Sequence, residues 1–117
     1  MKIGIADPQG RVRFSLHVLL DQQPGWVVAG EAVDCDDLFD MMRREAPDLL
    51  LLDWDLPDLN PLEVLRMLRM LYPNLKIIVL SGRRELEKTA ISGGADSFAC
   101  KAEPPEKLLS LIQQLQE

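Results

Sequence analysis

Residues 47–57 read PDLLLLDWDLP, and the four consecutive leucines in this stretch lead directly to Asp53. An apolar run without alternation is typical of a strand that helices cover on both faces. Open α/β sheets bind ligands outside the carboxyl ends of their strands, and Asp53 stands at that end of the predicted strand. A single aspartate in this place can also serve only to cap the following loop. The other strands of the chain therefore decide between the two interpretations.

The rest of the chain alternates short apolar segments with helical patterns. Helices are predicted after each strand, because apolar residues recur there at spacings of three and four. The fourth of them, over residues 85–92, has the fewest apolar side chains. Besides the central one, strands are predicted over residues 2–6, 26–32, 76–80 and 97–100.

Two helix starts carry specific signals. Asp34 and Asp36 are both candidate N-caps of the second helix. Pro61 is well suited to the first position of the third helix, where its missing N–H costs nothing. The residues of this third helix that we expect to face inward are Leu62, Leu65, Leu68 and Leu71.

Five strands that alternate with five helices indicate an α/β fold. Right-handed βαβ crossovers produce a parallel sheet with helices on both faces. For a sheet of this size the expected strand order is 2-1-3-4-5, which is the three-layer, doubly wound, flavodoxin-like arrangement. At 117 residues the chain is expected to form one domain.

Composition excludes several function classes. The formal net charge of −6 argues against direct, non-specific binding of nucleic acid. No apolar run approaches the roughly 20 residues that a membrane span needs, and the N-terminus enters a strand pattern at once, so we expect neither a membrane segment nor a signal peptide. Cys35 and Cys100 have no metal-ligand spacing, which favours free thiols and a cytoplasmic location. His17 is the one histidine and lies off the apolar stripe of its helix, so we expect it to be solvated.

Four strands of the predicted sheet end in polar residues, which are Asp7, Asp53, Ser81 and Lys101. In the order 2-1-3-4-5 these four side chains converge on one crevice. Two close carboxylates attract a hard cation such as Mg2+, while an ammonium and a hydroxyl can bind an incoming oxyanion. This set suits phosphoryl transfer to a carboxylate nucleophile.

The chain resembles the response-regulator receiver domain, the CheY-like family, over residues 1–117. The motifs that carry the resemblance are Asp7 after the first strand, LLLLDWDLP around Asp53, LSG at Ser81 and FACK at Lys101. GGAD before the last strand and AEPPEKLL at the last helix add to it. The segments DWDLP and KAEPPEKLL are most similar to receivers that precede a helix-turn-helix DNA-binding domain.

The resemblance implies a role for each matching residue. Asp53 corresponds to the phosphoacceptor, which takes a phosphoryl group from a histidine kinase or a phosphotransfer protein. Ser81 and Phe98 correspond to the switch hydroxyl and the switch aromatic, and Lys101 to the lysine that contacts the phosphoryl group. The implied protein is a signalling domain rather than an enzyme. Its implied output surface, and route to homodimers, is helix 4, strand 5 and helix 5.

The resemblance also implies a Mg2+ site, and this sequence departs from the family there. Asp7, Asp53 and the backbone carbonyl of Asp55 match three metal ligands, but Pro8 stands where the family has a second acid. We therefore expect weak Mg2+ binding. The Asp55 side chain and Arg83 match positions that tune the lifetime of the phosphoryl group, and we expect them to pair.

Two further departures concern the backbone. Pro61 replaces a glycine before the third helix, which predicts a stiffer loop beside Asp53. Ala102 follows Lys101 where the family often has a cis proline, so we expect a trans peptide bond.

Two other functions are compatible with these residues. A degenerate receiver could act as an interaction module without phosphorylation, and Pro8 is the feature in its favour. A nucleotide- or flavin-binding protein of the same topology would need a glycine-rich phosphate loop after the first strand. The segment DPQGRVR has one glycine and an acid at its entry, which argues against that function.

Overall fold

The structure, a computed structural model, describes residues 1–116 and contains one parallel sheet of five strands in the order β2-β1-β3-β4-β5. Strand order and fold class are as predicted. The elements are β1 (Lys2–Ala6), α1 (Gly10–Asp21), β2 (Val27–Ala32), α2 (Cys35–Glu45), β3 (Leu49–Asp53), α3 (Pro61–Leu71), β4 (Lys76–Ser81), a 3-10 turn (Arg84–Leu86), α4 (Glu87–Ser92), β5 (Ser97–Cys100) and α5 (Pro105–Gln116).

Strand β3 lies in the middle of the sheet, and all five of its residues are buried. Because side chains alternate along a strand, Leu49 and Leu51 pack on one side of the sheet and Leu50 and Leu52 on the other. Helices α1 and α5 cover the first side, and α2, α3 and α4 cover the second. This two-sided burial explains why the sequence of β3 shows no alternation.

The N-terminal caps of α2 and α3 fix where these helices begin. The Asp34 carboxylate accepts a hydrogen bond from the N–H of Asp37, whereas Asp36 lies inside the first turn, so only the first of the two predicted caps is correct. The Asn60 side chain accepts from the N–H of Leu62, and Pro61 is the first helical residue, as predicted.

The expected inward face of α3 is partly wrong. Leu65 and Leu68 are buried, but Leu62 and Leu71 are exposed, and Val64 is buried in their place. The reason is geometric. At 3.6 residues per turn, leucines spaced by three residues drift around the helix, and Leu62 and Leu71 end about 180° apart.

The bounds of other strands and helices differ from the predicted ones by one or a few residues. Strand β2 begins at Val27 rather than at Trp26, and β4 extends to Ser81. The weak fourth helix is split into the 3-10 turn and the six residues of α4, of which Ala90 is the one that is buried. No peptide bond within residues 1–116 is cis, as expected at Ala102. Within the same residues, no helix has the length and apolar character needed to cross a membrane.

Candidate functional site

The register of the sheet brings the predicted residues to one edge. Ala6 pairs with Leu52, which places Asp7 beside Asp53 at the ends of β1 and β3. Ser81 pairs with Cys100 at the ends of β4 and β5. Lys101, which follows Cys100, donates its backbone N–H to the carbonyl oxygen of Ser81 at 2.8 Å.

The Lys101 ammonium joins the two acids. Its Nζ lies 2.8 Å from Oδ2 of Asp7 and 3.0 Å from Oδ1 of Asp53. Asp7 is fully buried and Asp53 is 5% exposed, so both carboxylates have lost most of their water. A buried charge is tolerated when a partner and hydrogen bonds replace that water, and Lys101 supplies both.

The remaining contacts of Asp7 were not foreseen from the sequence. Its Oδ1 accepts a hydrogen bond from the N–H of Gln9 at 2.8 Å, and its backbone carbonyl accepts from Nη1 of Arg13 at 2.8 Å. Arg13 is held in turn by an ion pair with Glu31 of β2, with Nε and Oε1 3.0 Å apart. The sequence gave little indication of these contacts, because Arg13 lies in α1 while Asp7 follows β1 and Glu31 lies on β2.

The pKa of the Asp53 carboxyl is raised above its ordinary value. Burial is the main cause, the hydrogen bond from Lys101 offsets part of it, and the charge of Asp7 adds to it. The pKa of Lys101 is also raised: burial lowers it, but the hydrogen bonds to Asp7 and Asp53 outweigh that effect. The Lys101 ammonium therefore stays charged. A negative charge on Asp53, beside the charge of Asp7 and away from water, costs free energy.

Ser81 and Phe98 lie near this edge but do not touch the ion pairs. The Ser81 hydroxyl is buried, and its Oγ accepts a hydrogen bond from the N–H of Arg83 at 3.0 Å. Phe98 is 6% exposed and packs in the core on the side of α2, α3 and α4. The structure thus brings Asp7, Asp53 and Lys101 into direct contact and places Ser81 at the neighbouring strand end.

Asp55 and Arg83 form the expected ion pair across the mouth of the site. Nη2 of Arg83 lies 3.2 Å from Oδ1 of Asp55, and both side chains are more than half exposed. Exposed pairs contribute little to stability, at about 0–1 kcal/mol. The position of this pair next to Asp53 is therefore more informative than its strength.

Two prolines and a helix cap restrict the backbone between β3 and α3. Pro57 and Pro61 restrict its φ angles, and the Asn60 cap fixes its end. Asp58 has a φ of 92°, in the left-handed region that glycine adopts freely. Such a conformation costs a non-glycine residue about 1 kcal/mol or more. Nothing in the local sequence pattern indicated this strain.

The residues at this edge fit a weakly held Mg2+. Asp7 and Asp53 offer two carboxylates that lie together here, and the family pattern would add the backbone carbonyl of Asp55, while Pro8 contributes no side-chain ligand. Within residues 1–116, no cluster of three or more His, Cys, Asp or Glu side chains could hold a metal. Mg2+ usually keeps several waters and takes one or two carboxylates together with phosphate oxygens, and the set at this edge meets that minimum.

Comparison with known proteins identifies the family. The model of the response regulator receiver domain matches residues 3–113. The chain belongs to this family. The resemblance seen in the sequence is therefore confirmed, and a nucleotide- or flavin-binding protein is not supported.

The curated relatives are transcriptional regulators. The nitrate/nitrite response regulator protein NarL of Escherichia coli is 32% identical over 112 residues, which cover 94% of this chain and 52% of the relative. The uncharacterized transcriptional regulatory protein YxjL of Bacillus subtilis is 28% identical over 97% of this chain and 53% of its own length. The chain thus spans about half the length of these relatives. Because these relatives are transcriptional regulators, they do not favour the alternative of an interaction module that works without phosphorylation.

Solved structures support the same fold. The isolated receiver domain of RcsB from Salmonella enterica serovar Typhimurium, in the presence of the phosphomimetic BeF3−, superposes with a TM-score of 0.92 at 22% identity. That match covers 99% of this chain and 88% of the other. The response regulator domain of Thermotoga maritima CheB gives a TM-score of 0.84 at 24% identity, covering 100% of this chain and 97% of the other.

The raised pKa of Asp53 makes a prediction about stability. Because the folded state holds a proton on Asp53 more tightly than the unfolded state, the folded state loses stability as pH rises from about 3.8 through the raised pKa. Asp53→Asn removes this charge and should raise the free energy of unfolding at pH 7. The gain should shrink as pH falls towards 3.8. Urea unfolding at a series of pH values measures it.

Glu85→Gln removes one exposed acid and is the matched control, with no comparable gain expected. An Asp53→Asn variant that is less stable than the native protein at pH 7, or a difference that does not change with pH, would contradict the expected cost of the buried charge.

Proposed function

We propose that Asp53 accepts a phosphoryl group from the phosphohistidine of a histidine kinase or phosphotransfer protein. The modified domain then changes the surface formed by α4, β5 and α5 and controls an output, which we propose to be transcription. The observation that carries this proposal is the Lys101 ammonium, held at 2.8 and 3.0 Å from the carboxylates of Asp7 and Asp53. A cytoplasmic location belongs to the same proposal, since Cys35 and Cys100 are free thiols.

The chemistry requires one nucleophile and neutralisation of charge. An oxygen of the Asp53 carboxylate attacks phosphorus, the P–N bond of phosphohistidine breaks, and its electron pair stays with the imidazole, which takes up a proton. Lys101 can donate to a phosphoryl oxygen from its present position. Mg2+, when held by Asp7, Asp53 and the Asp55 carbonyl, would supply further positive charge. With or without Mg2+, Asp7 keeps the Lys101 ammonium beside Asp53.

Ser81 can transmit the change to the output surface. Its oxygen accepts from the N–H of Arg83, which leaves the hydroxyl proton available for an incoming phosphoryl oxygen. A shift of Ser81 would move the chain that leads into the 3-10 turn and α4. Helix α4 has six residues and buries only Ala90, so its packing is weak enough to change. Phe98 packs in the same core and could adjust with it.

Arg84 and Glu103 connect two parts of this output surface. Nη2 of Arg84 lies 2.6 Å from Oε1 of Glu103, which joins the loop after β4 to the loop after β5. The hydrogen bond from Arg84 holds the pKa of the Glu103 carboxyl below its ordinary value. Since both side chains reach solvent, breaking the pair costs little free energy, which suits a contact that reorganises on phosphorylation.

Helix α1 offers a surface for the phosphodonor protein. Phe14 is 68% exposed, and Val18 is exposed one turn further along. Val18 also lines a groove of about 480 Å³ between α1 and α5 that reaches Lys101, whereas Phe14 lies outside this groove. Exposed apolar side chains beside a groove are typical of protein-binding surfaces, and this groove ends at Lys101, the residue that pairs with Asp53.

Phosphorylation can be tested directly. With a small phosphodonor and millimolar Mg2+, intact-mass measurement should show one added phosphoryl group, and Asp53→Asn should show none. Beryllofluoride should change the fluorescence of Trp54, which is adjacent to Asp53, while Trp54→Phe reports the background from the distant Trp26. If the native protein behaves like Asp53→Asn in both measurements, the proposal fails and an interaction module without phosphorylation takes its place.

Pro8 sets the expected affinity for Mg2+. Pro8→Asp adds a carboxylate beside Asp7 and should tighten Mg2+ binding by about tenfold or more, because ligand charge sets the affinity of such sites. Titration of Trp54 fluorescence measures this. Pro24→Asp adds the same charge at an exposed proline beyond α1 and should leave the affinity unchanged. Equal affinities for the native protein and Pro8→Asp would show that the missing acid is not what limits the metal.

The ion pair between Asp55 and Arg83 is proposed to lengthen the life of the phosphoryl group by obstructing water. Arg83→Ala should therefore shorten the half-life of phospho-Asp53 by about twofold or more, an effect of the size of a weak surface contact. Arg44→Ala is the matched control, because Arg44 is an exposed arginine in the last turn of α2 and has no part in the site. An unchanged half-life in Arg83→Ala would count against this role.

A further inference from the structure

The exposed side of α3 and the residues before it is unusually apolar. Ten large hydrophobic side chains are exposed within residues 1–116, and five of them lie in this one segment, with Met70 at 72%. Single exposed hydrophobic residues are normal, but a contiguous group marks an interaction surface. We call this group the α3 face; it covers the outer half of the helix, with Leu62 and Leu71 at its two edges, and its other members are Leu59, Met67 and Met70.

The α3 face continues onto the end of α4. A shallow depression of about 460 Å³ lies between the helices; Leu62, Met70, Arg66 and Arg69 line it on the α3 side and Gly93 on the α4 side. A β-carbon at Gly93 would approach Cδ2 of Leu62 to 2.6 Å, which shows how closely the end of α4 packs against this side chain. The depression enlarges the apolar surface beyond a single row of side chains.

We propose that the α3 face binds the α3 face of a second copy of this chain, in antiparallel orientation. The face contains one acid and one base, Glu63 and Arg66, among its apolar residues. Both are exposed, and within residues 1–116 neither takes part in an ion pair. A surface with one charge of each sign next to apolar side chains is complementary to itself, which a two-fold interface requires.

The spacing of these residues specifies a register. When two antiparallel helices are centred between Val64 and Leu65, Glu63 lies level with the partner's Arg66. Leu62 then lies level with the partner's Met67. Two-fold symmetry makes each contact twice, so both ion pairs form together at the centre, with apolar contacts on either side. A centre near Arg66 would instead bring the two like charges together, which costs free energy.

This pairing leaves the rest of the domain accessible. Helix α3 packs on the same side of the sheet as α2 and α4, so α1 with Phe14 and Val18 stays uncovered on the opposite side. The pairing meets the output surface only at the end of α4, near Gly93, and Ile91 is the one exposed large hydrophobic side chain among residues 87–116. The proposal goes beyond the phosphoacceptor function and does not depend on it.

The size of the face sets the expected affinity. An α-helix of 11 residues is about 16 Å long, so two such faces bury less than about 1,200 Å² in total. Interfaces of this size are weak and transient. We therefore expect a dimer with a dissociation constant of about 10 μM to about 1 mM, well above the nanomolar range of large obligate dimers.

Sedimentation equilibrium of the 117-residue chain over this concentration range is the test. Met70→Glu places a charge in the α3 face and should raise the dissociation constant by about tenfold or more. Ile91→Glu is the matched control on α4, since Ile91 is exposed at 43%, and should have no effect. Circular dichroism checks that both variants keep the fold, which is expected for exposed positions. A native chain that remains monomeric up to about 1 mM overturns the proposal.

Charge exchange tests the partner and the register. Glu63→Arg and Arg66→Glu each place like charges at the centre and should weaken the dimer severalfold. The double variant restores opposite charges and should recover most of the native affinity. A dimer that is lost in Ile91→Glu but kept in Met70→Glu would assign self-association to α4 and overturn the proposal. A double variant as weak as the singles would overturn the antiparallel pairing.

Discussion

The contact of one ammonium with two buried carboxylates is the constraint on which this domain depends. Asp7 and Asp53 lie at the ends of adjacent strands, and without Lys101 their charges would repel in a region almost free of water. The lysine comes from the end of β5, so the contact exists only when β1, β3 and β5 are all in place. The same arrangement that makes the folded state tolerable also prepares Asp53 for an incoming phosphoryl group.

Pro8 makes this lysine more important than it would be beside a full set of acids. With one acid after β1, the site has fewer oxygen ligands for a cation, and Lys101 becomes its principal fixed positive charge. Arg13 supports Asp7 from the other direction, through the backbone carbonyl and through Glu31 on β2. The position of Asp7 is thus secured by protein contacts on both sides.

The segment after Asp53 connects the site to a second surface. The loop that contains Asp58 and Pro61 is restricted by two prolines and a helix cap, and it leads directly into α3, whose inner side is held by Val64, Leu65 and Leu68. The outer side of the same helix is apolar and has no covering element within residues 1–116. One short stretch of chain therefore carries Asp53, the proposed phosphoacceptor, at one end and a candidate self-association surface at the other.

The sequence by itself determined the order of strands and helices, the polar ends of four strands and the family, because these depend on local patterns and short motifs. It also placed Asp53 in the candidate site, because three other predicted strands end in polar residues at the same edge of the sheet. Only the tertiary structure decided that Lys101 touches both acids, that the Ser81 oxygen accepts from Arg83 and that Leu62 and Leu71 of α3 face outward. Those features depend on strand register, loop conformation and the rotation of a helix against the sheet. They arise from contacts between residues far apart in the chain, which no local pattern records.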